Sequence, residues 1–479
     1  MTLEDARELW RAGKSEDALA ATWKAYDAAP QGRDEKHLVV RILRDDPKLL
    51  TPDRAPALIA LLRDPDIEPD AIAPAGWGHL ERRADVLDLN ASPDAAAARF
   101  EGDALALTLL RESPVTSVAA ERALTRVRRH LLLADRWRDF PQLSEALVRQ
   151  AALNGGAWPF GADERAQFEG SFAAAFLPPR TFVRAAARYA DAVTRSVAAQ
   201  YEAWPYPPWR RITRPKPSSV AAAVRARDPD GSSPPEPANI LVAGCGTGRG
   251  AALVATRYAG DRVTAIDISA TSLAYARERC AALGIGGIAL RQLDLHAAAD
   301  AFGGGFDHID CCGVLHHLPD PEAGWAALAR ALNPGGTMHI MVYSRVARMR
   351  VRAWRQALGP LTARPVDDDL LREVRGRLLA LPPAALPTGR DFFTLAGVHD
   401  MLLHRHEDPF DIPRIGRALE TLGLRFLGFE LARQSDVLNY RARHPEDPLR
   451  RSFEGWREVE RGNPTIFAAM YDLWCRKPL

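Results

Sequence analysis

The sequence predicts a doubly wound α/β domain preceded by an all-α domain, and three observations carry that expectation. Residues 1 to about 200 place apolar side chains at helical spacing only. From 239 onward short apolar runs alternate with helical segments, the pattern of a parallel sheet covered on both faces. Between the two, 213–238 is dense in Pro and Ser, which continue neither a helix nor a central strand. At 479 residues the chain has room for two or three domains, each with its own core.

In the first part, Leu3, Ala6, Leu9 and Trp10 recur at helical spacing, and Gly13 breaks the run. Ala18, Leu19, Trp23 and Tyr26 resume it before Pro30. This helix–turn–helix unit resembles one tetratricopeptide-type repeat. No second copy stands out at the period of about 34 residues, so 1–200 reads either as repeat-like or as a non-repeating helical domain. Further helical segments are expected at 116–134, 140–153 and 180–202. Residues 201–238 form an expected strap and linker. The strap, Gln200-Tyr201-Glu202-Ala203-Trp204-Pro205-Tyr206-Pro207-Pro208-Trp209, is stiff and aromatic; it reads as a packed strap or as a lid over a ligand. Strands are expected at 240–243, 263–266, 288–293, 306–312 and 337–343, with helices at 251–258, 271–282 and 321–332.

Lys+Arg 63 against Asp+Glu 61 leaves +2, too balanced to argue for a nucleic-acid or membrane-surface partner. Six Lys among the 63 basic residues mark an Arg-rich coding bias rather than an RNA-binding tract. No run reaches about 18 uncharged apolar residues, so no membrane span is expected, and the start does not read as a signal peptide. Five Cys without CxxC spacing read as thiols of a reducing compartment, which makes the cytoplasm the expected location and implies no zinc site.

The strongest chemical signal is Ala243-Gly244-Cys245-Gly246-Thr247-Gly248, between strand and helix. Glycines there let backbone approach a ligand, and free amides at the helix start suit an anionic group. A dinucleotide-binding loop would have its third Gly one position later, where this chain has Arg249. Asp267 closes the second strand, where a carboxylate can accept both hydroxyls of a ribose. Asp294 closes the third and could accept from an adenine amino group.

These blocks carry a family resemblance. Residues 240–248, 265–269, 292–295, 306–318 and 332–336 resemble a class I S-adenosylmethionine-dependent methyltransferase domain, a seven-stranded Rossmann-like fold. The resemblance implies that Gly244, Gly246 and Gly248, with Cys245 between them, cradle the methionine part. It implies that Asp267 holds the ribose and that Asp294 with Leu295 holds the adenine, with Ile268 and Gly313 also among the cofactor-binding residues. One departure stands out: Val242 occupies a position where the family often has an acidic residue for the methionine amino group. Residues 239–479 would form this domain, closed by a hairpin from 424–431 and 466–474. An insertion at about 345–423 would form a helical cap.

Methyl transfer from a sulfonium is an in-line displacement that needs alignment and, for a protonated nucleophile, a base; it needs no metal. His316 and His317, after the fourth strand, are the candidate catalytic residues. His308, inside an apolar strand, reads as structural. Tyr343 is a candidate pocket wall, and Tyr201, Tyr206 and Trp209 are candidate substrate-side residues on a strap that could fold back over the cofactor. Asp400 and His404, four apart and expected on one helical face, are candidate polar contacts from the cap. The function expected is methyl transfer from S-adenosylmethionine to an O, N or C nucleophile. A large helical front half favours a protein or peptide acceptor. A small-metabolite methyltransferase and a non-catalytic S-adenosylmethionine-binding scaffold or sensor are the alternatives.

Overall fold

A computed structural model describes residues 2–83, 86–88, 90–167, 191–387 and 389–479. The chain divides into two compact units, Met1–Thr181 with Trp354–Leu403, and Phe182–Ala353 with His404–Leu479. Of the expected helix 180–202, the part before 191 lies outside the described residues.

The first unit is helical throughout its described residues. Its first helix, Leu3–Arg11, is started by a reciprocal capping box in which Thr2 and Asp5 satisfy each other's backbone N–H. Ser15–Ala28 follows Gly13, whose φ of +79° makes the turn that the sequence expects there. Val118–Leu133 and Pro141–Asn154 match the expected segments, capped by Ser117 and by a left-handed Gly155. Leu43, Leu58, Trp77, Phe100, Leu109 and Leu124 lie at the centre of its core.

Residues 354–403 belong with the amino-terminal helices, and helix Asp368–Leu379 carries the reason. Its Arg375 is fully buried and makes a two-point ion pair with buried Glu121, while Arg375 Nε donates to the Phe392 carbonyl at 2.7 Å. Arg122 donates to the Leu379 carbonyl at 2.9 Å and Arg372 to the Gly156 carbonyl at 2.7 Å. Arginines at helical spacing read as a solvated face in sequence, so no periodicity announces this buried pairing.

The second unit is built on a seven-stranded sheet: β1 Asn239–Ala243, β2 Arg262–Asp267, β3 Ile288–Gln292, β4 Phe306–Cys312, β5 Leu332–Tyr343, β6 Arg425–Glu430 and β7 Met470–Arg476. The order is β3-β2-β1-β4-β5-β7-β6, parallel except for β7, which runs antiparallel to both β5 and β6. The topology reverses between β1 and β4, and in such sheets ligands bind beyond the strand ends at that reversal.

Two strand boundaries differ from the sequence reading. β5 starts at Leu332 because Leu332 already pairs with Phe306; Asn333-Pro334-Gly335-Gly336 then bulges, with Gly335 at φ +76°, before Thr337 pairs with His308. β7 starts at Met470 because 463–470 fold into successive turns, in which Ile466 and Phe467 are buried without pairing. The expected linker also packs. Ser219 caps helix Val220–Arg225, whose Val220 and Val224 join the core under β1, and buried Asp228 receives Arg425 and Arg476.

Candidate active site

At the carboxyl end of β1 the chain turns through three left-handed glycines, with Gly244 at φ +69°, Gly246 at +51° and Gly248 at +84°. Gly244 and Cys245 both donate backbone N–H to the Ile266 carbonyl at 2.9 Å, and Gly248 starts helix Arg249–Arg257. The glycines are required by space as well as by dihedral. A Cβ on Gly244 would lie 2.4 Å from a methyl of Val314, and one on Gly248 would lie 2.5 Å from the Cβ of Ala276.

Asp267, at the end of β2, is buried and held from both sides. Oδ2 accepts from the Gly246 N–H at 2.7 Å and Oδ1 from the Ser269 N–H at 2.8 Å. Burial pushes its pKa up to about 6 against the pull of those two amides, and nearby Glu202 adds to the rise. Glu202 escaped sequence reasoning as a site residue. Its carboxylate caps helix Ala270–Ala282, accepting from Ala270 N–H at 2.6 Å and from the backbone and hydroxyl of Thr271. An acidic residue inside an otherwise aromatic strap was the available signal.

Asp294 turns back on its own turn. It accepts from the backbone N–H of His296 at 2.9 Å and from His296 Nδ1 at 2.8 Å, and this contact, ahead of burial, holds its pKa below the usual carboxylate range. Leu295 beside it is buried, and Ile268 offers its carbonyl to Gln292 Nε2 at 3.0 Å. Gly313, at φ +79°, donates to the Met341 carbonyl and has open space where a Cβ would stand.

The aromatic strap crosses the glycine loop. Thr247 Oγ1 donates to the Pro207 carbonyl at 2.5 Å, and the Tyr206 carbonyl lies 3.0 Å from where a Gly246 Cβ would be. Trp209 Nε1 donates to the Thr247 carbonyl at 2.8 Å, and its backbone exchanges hydrogen bonds with the Tyr275 hydroxyl at 3.1 and 2.6 Å. The Trp209 ring is buried against Ile212, Ala252, Cys280 and Ile285. Trp209 is thus an anchor of the strap.

After β4 the rings of His316, His317, Tyr343, His404 and Tyr201 form a continuous stack and edge series. His316 lies 3.8 Å from Tyr343 and 4.2 Å from His317; His317 stacks on His404 at 3.7 Å; the His404 ring meets Tyr201 at 5.7 Å. Arg348, ion-paired to Glu407 in a buried pair, lies over the Tyr343 ring at 4.2 Å. Neither Arg348 nor Glu407 was singled out in the sequence, because only the fold brings 348 and 407 together.

Hydrogen bonds assign the imidazole protons. His316 Nδ1 accepts from the Tyr343 backbone N–H at 3.1 Å, so its proton sits on Nε2, which is buried and has no partner among the described residues. His317 Nδ1 donates to the His406 carbonyl at 2.9 Å, leaving a lone pair on Nε2. His404 Nδ1 accepts from the His406 N–H at 3.1 Å, and its Nε2 faces the Tyr201 hydroxyl at 3.2 Å. Burial drives His316 well below the ordinary value and His317 down to about 4, so both are neutral near pH 7.

Helix Leu395–Leu403 ends before His404, which turns to take the His406 N–H, and buried Asp400 belongs to the first unit. His308 is a sheet residue as expected, bonded through Nδ1 to Thr337 Oγ1 at 2.9 Å and stacked on Trp474 at 4.9 Å.

Comparison with known proteins agrees with this geometry. Residues 241–338 match the family profile described as "Methyltransferase domain". An uncharacterised protein of Synechococcus sp. is 36 % identical over 261 residues, covering 50 % of this chain and 60 % of that protein. A ubiquinone biosynthesis O-methyltransferase of Methylococcus capsulatus is 37 % identical over 100 residues, covering 21 % of this chain and 42 % of that protein. Among solved structures, PKMT2 from Rickettsia typhi in complex with AdoHcy has a TM-score of 0.40 at 18 % identity, over 55 % of this chain and 54 % of that one. The chain thus spans less than two thirds of these relatives. The sheet order and the profile match fall on the same residues as the glycine turn and Asp267: the chain carries a class I S-adenosylmethionine-dependent methyltransferase domain, and S-adenosylmethionine is that domain's cofactor.

Proposed function

We propose that the chain transfers a methyl group from S-adenosylmethionine to an oxygen, nitrogen or carbon nucleophile on a protein or peptide. The observation that carries the reading is the pairing of the left-handed glycine turn with a buried carboxylate that two backbone amides hold in place. That is a cradle fitted to a ribose-bearing ligand: the Gly246 and Ser269 amides fix the carboxylate in place, and a ligand hydroxyl donating to Asp267 would offset the burial of its charge.

In this reading Gly244, Cys245, Gly246 and Gly248 receive the methionine part, Asp267 and Ile268 the ribose, and Asp294, Leu295 and Gly313 line the adenine side. When bound, the cofactor supplies an electrophilic methyl whose transfer removes a positive charge. The acceptor then sits by the ring series after β4. His317 is the residue assigned to take a proton, since its Nε2 keeps a lone pair while the Nδ1–H is committed to His406. A pKa of about 4 makes it a weak base, suited to a nucleophile whose proton leaves late, as the sulfonium charge collapses. His316 positions Tyr343 through its backbone. Tyr201, Tyr206, Tyr343 and His404 shape the acceptor pocket.

The helical first unit, tetratricopeptide-like at its start, supports a polypeptide acceptor because a broad helical surface suits recognition of one. Ubiquinone biosynthesis relatives of this chain are named O-methyltransferases, which supports an oxygen nucleophile. The described cysteines are free, in keeping with a cytoplasmic setting, and no described helix is long and apolar enough to cross a membrane. One observation favours a second reading as a non-catalytic S-adenosylmethionine sensor. Val242 replaces the acidic residue, and the neighbouring Asp310 is already bonded to His339.

The test uses methyl-labelled S-adenosylmethionine, the full chain and extract of its source cells, with Asp267→Ala as control. Label entering the protein fraction in an Asp267-dependent way supports the proposal. Label in the small-molecule fraction replaces the acceptor class, and cofactor binding without label selects the sensor.

A further inference from the structure

On the sheet face away from Ile309, Cys311, Met338 and Ile340, three strands bring together polar side chains that the methyltransferase reading does not use. β4 contributes Asp310 and Cys312, two residues apart and therefore on one face. β5 contributes His339, the register partner of Asp310, and β7 contributes Asp472, the partner of Met341 one step along. His339 Nδ1 lies 2.8 Å from Asp310 Oδ2 and 3.6 Å from Cys312 Sγ, and the three ligand atoms fall within 4.8 Å of one another. His339 Nε2 lies 2.7 Å from Asp472 Oδ1.

We propose that Asp310, Cys312 and His339 form a binding site for one divalent cation of the zinc or cobalt type, with Asp472 orienting His339 from behind. Thiolate, imidazole and carboxylate together are the donor set such borderline cations take. Zinc bonds of about 2.3 Å to sulfur and about 2.0 Å to nitrogen at a tetrahedral angle put N and S about 3.5 Å apart. The 3.6 Å in the structure already matches that edge. The 2.8 Å between nitrogen and oxygen opens by about half an ångström to admit the ion. A carboxylate on the far nitrogen of a ligating His fixes its tautomer, which is what Asp472 does here.

The charges balance as well. Without metal, His339 donates from both ring nitrogens to Asp310 and Asp472, and Cys312 holds its proton. Metal binding forms bonds to Asp310 Oδ, Cys312 Sγ and His339 Nδ1, and releases the Cys312 thiol proton and the His339 Nδ1 proton to solvent. Two anionic ligands then neutralise the dication inside the sheet. Cys312 and His339 are only half-buried, which gives the ion a route.

The experiment titrates Co(II) into the chelator-treated full chain and follows the thiolate-to-cobalt charge-transfer band. One equivalent saturating the band, with about two protons released per cobalt in weak buffer, is the expected result. Cys312→Ser removes the band, Cys311→Ser on the opposite face keeps it, and Asp472→Asn weakens cobalt binding by about 10- to 100-fold. Absence of a charge-transfer band in the wild-type chain overturns the proposal. So does a band that survives in Cys312→Ser or His339→Ala. The wild-type stoichiometry and proton count do not depend on any variant folding, and none of these readings requires methyltransferase activity.

Discussion

Replacing Asp267 by Asn separates the site from the fold. The buried carboxyl titrates near 6 against an ordinary 3.8, and each pH unit is worth about 1.4 kcal/mol. Holding Asp267 ionised in the folded chain therefore costs about 3 kcal/mol above pH 6. Because the folded pKa lies above the unfolded one, this group's contribution is most favourable below about pH 4 and is lost as pH rises through 6. Asn removes that cost but can accept from only one of the Gly246 and Ser269 amides, and stranding the other costs about 1–3 kcal/mol. The two effects nearly cancel, so Asp267→Asn should fold with a Tm near that of the wild type.

Ligand binding should not be spared. Two ligand hydroxyls lose a charged acceptor worth about 1.5–3 kcal/mol each, and the amide replaces part of it, leaving a loss of about 2–3 kcal/mol. That is a 30- to 150-fold weaker Kd for S-adenosylhomocysteine by calorimetry, with Asp267→Ala at least as severe. If only the ionised carboxylate binds, wild-type affinity at about pH 5 is roughly tenfold below its value at pH 7.5, while that of Asp267→Asn stays flat. Affinity within about twofold of wild type in the Asn variant, or a flat wild-type profile, would refute the assignment of Asp267 to the ribose.

Four further outcomes follow from the same geometry. Gly244→Ala drives a methyl to within 2.4 Å of Val314 at φ +69°, so it should lower stability by about 1–3 kcal/mol and abolish the thermal shift given by S-adenosylhomocysteine. Trp209→Phe keeps an aromatic anchor but strands the Thr247 carbonyl, which should lower the Tm by an amount equivalent to about 1–2 kcal/mol and weaken ligand binding severalfold. His317→Ala should reduce label transfer by about a hundredfold while leaving S-adenosylhomocysteine affinity within about threefold; equal loss of both would make His317 a structural residue. In the helical unit, Glu121→Ala leaves Arg375 buried without its partner and should destabilise by about 3–5 kcal/mol in denaturant unfolding.

The parts legible in sequence were those coded by local pattern. Each parallel strand announced itself as a short apolar run, and the Gly244–Gly248 turn was readable because backbone geometry there excludes other residues. What escaped was set by register and tertiary packing. Asp310, His339 and Asp472 are spread over more than 160 positions and meet only because β4, β5 and β7 pair as they do. Asp294 looked like a free acceptor, yet its carboxylate completes its own turn with His296. Of the insertion expected at about 345–423, residues 354–403 group with the amino-terminal helices, which chain position alone does not suggest. The buried Arg375 carries no sign in sequence that its partner stands 254 positions earlier.

The departure at Val242 bears on how the cofactor is held. Asp310 is the register partner of Val242 on the adjacent strand and is a carboxylate that could replace the missing one. Its Oδ2 is bonded to His339, or to the ion when a metal is bound, so it is not free to meet a methionine amino group. Glu202, the other acid beside the loop, is directed at the start of helix Ala270–Ala282, where three donors from Ala270 and Thr271 share its carboxylate. With these two committed, the methionine end is left to the amides and carbonyls of the glycine turn and to the strap that Trp209 and Thr247 pin across it. Asp267 then carries a larger share of recognition than it would in a domain with an acid at 242. A single substitution there should therefore cost most of the measurable affinity.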